Sequence, residues 1–410
     1  CGLLPSEWNN KSSPLPSRTA TILQSVPLTN RKNRLNPYVT MFRFLVCVAF
    51  VSCILTVGAQ DPATRRQPSN GGQIELFLNS STMSQAIAIN AQGSVIGTRE
   101  TPDPSKGQLI NVPFYIGKYG SKDIPIPKSF TNLEPIGICD SDLVVGYATR
   151  PPGNKEGSVA GVVWDPKTES FAFLPKAPGD VVNQPQAISA DGKRITGYST
   201  GPDRLRPALW VFDDSQKEWT IKVLPTLHEN NPYLMSGGLM ISPDGKRIAG
   251  CCTEAFRPDG SVDSALFLWT ETEPDRWERK LLSSEQLYLR GINDQGEMAG
   301  SVRGKTGERQ PCFVSPQGDF RLLELLPKDV SGEAKGINND SVIVGFSDDP
   351  IGGDGGPEPC FWKKDAKPNK IAPAGSWFGM IQAINQTGQM AGVVEDSQSG
   401  ASLAFRTLQQ

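Results

Sequence analysis

The chain has 410 residues, with 41 Lys and Arg against 43 Asp and Glu, a single His and a formal net charge of −2. That balance, with no run of four consecutive basic residues, argues against nucleic acid and anionic membrane surfaces as partners. One histidine leaves little room for His-centred triads or metal sites, and 41 Gly with 34 Pro spread along the chain point to many short strands rather than long helices.

Residues 1–40 are polar and read as an upstream extension outside the mature protein. Met41 and Arg43 then precede an apolar run, Phe44 to Val57, and the small-residue site Val57-Gly58-Ala59. This is the layout of a cleaved signal peptide over 41–59, and it implies a secreted or periplasmic protein beginning at Gln60. The same run also admits an uncleaved membrane anchor over 44–59, the only membrane contact expected, or a lipoprotein box at Phe50-Val51-Ser52-Cys53. Residues 1–59 hold six basic residues and one acidic residue, so the remainder carries 35 Lys and Arg against 42 Asp and Glu, a net charge near −7. Residues 60–72 read as a linker, and QIELFLN (73–79) as a strand with no partner of its own.

From residue 85 onward one unit recurs seven times: an apolar strand, an Asn- or Ser-led turn, and a second strand closing on Gly. The closing glycines are Gly97, Gly146, Gly197, Gly250, Gly300, Gly345 and Gly392, spaced 49, 51, 53, 50, 45 and 47 residues apart. A fixed period of this size marks a repeat architecture. Ile89, Ile138, Ile188, Ile241, Ile292, Ile337 and Ile384 share one column, as contacts between stacked sheets would. Nearly all the residues before them are small, which lets an inner strand sit close to its neighbours near an axis. The column after them, Asn90, Cys139, Ser189, Ser242, Asn293, Asn338 and Asn385, opens a turn whose side chain can bond its own backbone two residues on.

Each repeat continues into a third strand: 112–116, 160–164, 206–212, 264–269, 311–314, 359–362 and 402–406. A fourth follows at 123–127, 170–175, 220–225, 280–283, 319–325 and 369–373, and the seventh repeat lacks one. The orphan strand 73–79 supplies it. The expected fold is therefore all-β: a seven-bladed β-propeller over 73–410, with four-stranded antiparallel blades and a ring closed by pairing strand 73–79 with the last blade.

The pattern Ala-x-x-Ile-Asn-x-x-Gly-x-Val-x-Gly, followed by an aromatic-rich strand, resembles the HAF-type extracellular repeat of bacteria over residues 84–406. SADGKRITG (189–197) and SPDGKRIAG (242–250) also resemble the strand-turn-strand piece of TolB-like and WD40-like propeller repeats. Asp142 and Ser341 depart from the pattern at the turn glycine, and Cys139 at the Asn. The resemblance implies export and a repeat architecture, and it brings no catalytic residue or cofactor.

Chemistry-bearing residues are sparse. The acidic loop 347–359 offers Asp348, Asp349 and Asp354 as weak calcium ligands, at a spacing unlike an EF-hand. Cys139, Cys251, Cys252, Cys312 and Cys360 read as buried strand residues packing as small hydrophobes. In a propeller, the loop between second and third strands shares a face with the connection to the next blade. Both are long here, and such loops usually carry ligand contacts. Arg99, Arg150, Arg204, His228, Tyr233, Arg257 and Trp377 are the candidates on that face. The expected function is a non-catalytic binding or scaffold protein of the cell envelope or exterior, with a protein or glycan partner. A carboxylate-based enzyme acting on polysaccharide and a purely structural envelope component are the alternatives.

Overall fold

The computed structural model describes residues 63–408 apart from 70–71, 79–82, 104–106, 154–156, 203, 226–235, 257–261, 284–286, 305–306, 350–355, 364–366, 372–377 and 397–398. The extension, signal and anchor readings of residues 1–59 lie outside the described residues. Within them the chain forms seven antiparallel sheets: in six the four strands follow one another in sequence order, and the seventh combines strands from the two ends of the described chain. The first blade runs Ser84–Ile89, Val95–Pro102, Leu109–Gly117 and Gly120–Asp123, and the sixth Ser331–Ile337, Ile343–Asp348, Glu358–Trp362 and Asn369–Lys370. The inner strands neighbour one another in a closed ring. The fold is a seven-bladed β-propeller.

The ring closes as the orphan strand implies. Gly72–Leu78 pairs antiparallel with Ser402–Thr407, Ile74 opposite Thr407 and Leu76 opposite Phe405. The stretch read as a linker carries a further strand, Ala63–Ser69, which pairs with Gly72–Leu78 and makes this blade five-stranded. The outer strand of the first blade also begins earlier than 123–127. The third strand runs on to Gly117, and a two-residue turn returns the chain at Gly120 (φ 89°). Beyond Ile124, whose amide still bonds Pro113 O, Pro125 and Pro127 have no amide to continue the ladder.

The core is divided among the blade junctions. Seven apolar clusters each join two adjacent sheets, such as Leu209 and Leu224 with Ile248 and Trp269, or Phe313 and Leu323 with Ile337 and Trp362. The closure is packed like the rest: Phe77 and Ala404 meet Ile89 and Phe114 of the first blade, while Ile74 and Leu76 meet Val344 and Ile371 of the sixth. Three third-strand tryptophans tie their sheets to the one before. Trp210, Trp269 and Trp362 donate from Nε1 to Pro175 O, Pro225 O and Glu324 O at 2.7, 3.0 and 2.7 Å.

The turn column does two jobs. Asn385 Oδ1 accepts from the amides of Thr387 and Gln389, and Asn90, Asn293 and Asn338 cap their turns in the same way. Their Nδ2 groups cross to the next blade: Asn90 to Cys139 O at 3.0 Å, Asn293 to Asn338 O at 3.1 Å and Asn385 to Asn90 O at 2.7 Å across the closure. Where Cys139 and Ser189 are too short to cross, backbone bonds replace them, Asp140 N to Ala190 O and Ala190 N to Pro243 O. All seven turns then place a residue at positive φ. Asp142 (70°) and Ser341 (57°) hold the conformation that Gly93 (78°) and its equivalents adopt without a Cβ.

Candidate functional site

A β-bulge interrupts every inner strand. In six blades it falls at one position, leaving Ile87, Ile136, Gln186, Arg290, Lys335 or Gln382 unpaired; in the fourth it comes one residue earlier. The bulge also explains the closing glycine. A Cβ on Gly97, Gly146 or Gly345 would collide with the inner-strand carbonyl of Gln85, Glu134 or Glu333. With no side chain there, the backbone can kink and the unpaired residue turns out of the ladder. All six bulge residues, with Met240 from the fourth blade, line an axial cavity of about 250 Å³ that extends to the tight-turn residues Asn90, Asp140 and Asn385.

Two of these residues are cationic and come from adjacent blades. Lys335 donates to the buried Glu333 carboxylate and lies 5.4 Å from the centre of the Phe346 ring. Arg309 pairs with the same carboxylate and stacks 4.8 Å from the centre of Tyr288. One carboxylate thus serves two cations. Arg290 is exposed and has no hydrogen-bond or ion-pair partner among the described residues. Burial, with the guanidiniums of Arg290 and Arg309, lowers the Lys335 pKa to about 8.

The long-connection face presents a different surface. Arg99 donates from Nη2 to both oxygens of Asp123, at 3.0 and 2.8 Å. Arg150 lies 4.4 Å from the Phe130 ring centre and donates to Gly157 O at 3.2 Å. Both are therefore engaged within their own blade. Arg204 heads the strand Arg204–Asp213, its side chain outside the description. His228, Tyr233, Arg257 and Trp377 lie outside the described residues. Large apolar side chains are exposed on this face. Leu109 and Ile110 open a third strand, Ile126 lies between the first two blades, and Val181 and Val330 stand before inner strands.

Of the acidic loop, Asp348 ends its strand, Asp349 follows and Asp354 is outside the described residues. Burial raises the Asp348 pKa, helped by Asp329 and Asp349. Burial likewise raises that of Asp329, with Glu358 and Asp349 adding to it. One oxygen of each makes no hydrogen bond. Among the described residues no group of three His, Cys, Asp or Glu side chains is arranged to hold a metal. Cys139, Cys251, Cys312 and Cys360 are buried free thiols; burial pushes Cys251 and Cys312 up to about 12, so both are protonated at neutral pH.

Sequence reasoning missed the axial cations. The available signal was a charge at Arg290 and Lys335, in a column that is otherwise apolar or uncharged. No family model matches the chain, including any for the HAF-type repeat, and no curated protein matches it. Solved structures do. The β-propeller domain of the Trilobed protease from Pyrococcus furiosus is similar at 11% identity with a TM-score of 0.53, over 80% of this chain and 94% of that one. TolB from Acinetobacter baumannii aligns at 14% identity and TM-score 0.42, over 79% of each chain. At such identities the likeness is one of fold. The Pyrococcus domain is described as having an open velcro topology, whereas here Gly72–Leu78 completes the last blade.

Proposed function

We propose that the chain is an exported, non-catalytic binding or scaffold propeller of the cell envelope or exterior, contacting a protein or glycan through its long-connection face. The contrast between the two faces carries this reading. On the tight-turn face, side chains and amides bond from blade to blade around the ring. On the other face Leu109 is 57% and Ile110 42% exposed at the start of one third strand, with Ile126, Val181 and Val330 also exposed at other blades, and exposed apolar side chains on a face of long loops are where partner contacts form. The apolar run at Phe44–Val57 supports export.

A thermal-shift screen of the protein against envelope glycans and peptides tests it. A ligand at about a hundred times its dissociation constant adds about 2.7 kcal/mol of stability. The reading expects a saturable shift that the double variant Leu109→Ser, Ile110→Ser abolishes; a shift unaffected by that variant would count against this face. Asp329 and Asp348 favour a second reading, a polysaccharide-acting enzyme, because a carboxyl whose pKa is raised by burial beside another carboxylate is the kind of group that general-acid cleavage uses. Glycan cleavage lost in Asp329→Asn or Asp348→Asn would establish it.

A further inference from the structure

In ring order the axial cavity presents Ile87, Ile136, Gln186, Met240, Arg290, Lys335 and Gln382. The two cations, on the fifth and sixth blades, therefore stand across the ring from the isoleucines of the first and second. The two sides of the cavity differ in chemistry. Lys335 and Arg309 draw on one carboxylate, and Arg290 has no partner among the described residues. Asp140 is the one carboxylate among the described lining residues, and its Oδ1 is engaged by the Ala91 amide at 2.9 Å. A cation held in a concave, partly apolar space is stabilised by an incoming anion more strongly than one on an open surface.

We propose that the axial cavity is a second ligand site, distinct from the long-connection face, for a carboxylate with an apolar body. The carboxylate lies on Arg290 and the body against Ile87 and Ile136. A planar guanidinium matches a carboxylate in two parallel hydrogen bonds. A single charge is also less costly to bring against the apolar wall than a phosphate dianion. Size agrees: an apolar cavity of roughly 150 Å³ holds a benzene, so about 250 Å³ accommodates a short alkyl chain or ring with its carboxylate. Such a group is either a free organic acid or the C-terminal residue of a peptide ending in an apolar side chain.

Calorimetric titration of the full chain with hexanoate tests the site, alongside hexanol, hexyl phosphate, galacturonate, and a Leu-ended peptide with a free or an amidated C-terminus. Hexanoate should saturate, and hexanol should bind at least about tenfold more weakly, the loss of a charge-assisted hydrogen bond. Arg290→Gln should weaken hexanoate by a similar factor without lowering thermal stability, because Arg290 has no hydrogen-bond or ion-pair partner among the described residues. Arg99→Gln, on the other face, should leave hexanoate affinity unaltered. Binding of the free-ended but not the amidated peptide assigns the site to a chain end; binding of hexanoate alone assigns it to a free acid. The proposal is overturned if hexanoate fails to bind, if hexanol or galacturonate binds as well, if hexyl phosphate binds more tightly, or if Arg290→Gln binds hexanoate like the parent.

Discussion

Asn385 sits where the ring closes, and its side chain can be removed in steps. Its Oδ1 accepts the amides of Thr387 at 3.1 Å and Gln389 at 2.8 Å, and its Nδ2 donates across the closure to Asn90 O at 2.7 Å. The residue is buried, so water replaces these partners poorly. At about 1 kcal/mol net for each bond, Asn385→Ala should cost about 3 kcal/mol. Asn385→Ser should cost less. The serines of the third and fourth blades show why: Ser189 Oγ and Ser242 Oγ each accept one turn amide, from Arg194 at 3.0 Å and Arg247 at 2.9 Å, but neither crosses to the next blade. Of these three bonds to the backbone a serine at 385 would keep one, for a loss of about 2 kcal/mol. Asn338→Ala should fall below Asn385→Ala, since its crossing bond to Asn385 O is longer, at 3.4 Å. Guanidinium unfolding midpoints give the order directly. If Asn385→Ala cost under about 0.5 kcal/mol, or if Ser and Ala were equal, the crossing bonds would not hold the ring.

Gly345→Ala should be more damaging than a strand Gly→Ala normally is, because the new Cβ meets the Glu333 carbonyl at the bulge that presents Lys335. A loss above about 2 kcal/mol is expected, and a neutral result would remove the reason given for the glycine column. Asp348→Asn should stabilise the protein at pH 7. The folded-state pKa of Asp348 lies above its usual 3.8, so its ionisation lowers stability as the pH rises through that raised value. The gain in melting temperature should vanish toward pH 4, and a gain independent of pH would contradict the assignment.

The fold was legible because each sequence column has a physical task. The isoleucines fill the blade junctions, the Asn and Ser column caps turns, and the closing glycines lie against the bulged strand. Ala63–Ser69 was not legible. ATRRQPS has no apolar alternation, its described side chains are exposed or half-buried, and Pro68 argues against a strand. The axial cations escaped for a related reason. A bulge breaks the two-residue period, so the residue that turns to the axis cannot be found by counting in twos. Of the seven residues marked on the long-connection face, Arg99 and Arg150 answer to Asp123 and to Phe130 with Gly157, contacts that no repeat column encodes.

Ring closure is the claim on which the rest depends, and native-state hydrogen exchange at Ile74–Leu76 measures it most directly. With Gly72–Leu78 paired to Ser402–Thr407 and Ile74, Leu76 and Phe77 fully buried, these amides should be protected about as strongly as those of the inner strand Leu287–Ile292. Exchange at the rate of exposed loops, with Leu287–Ile292 still protected, would show an open ring and contradict the account.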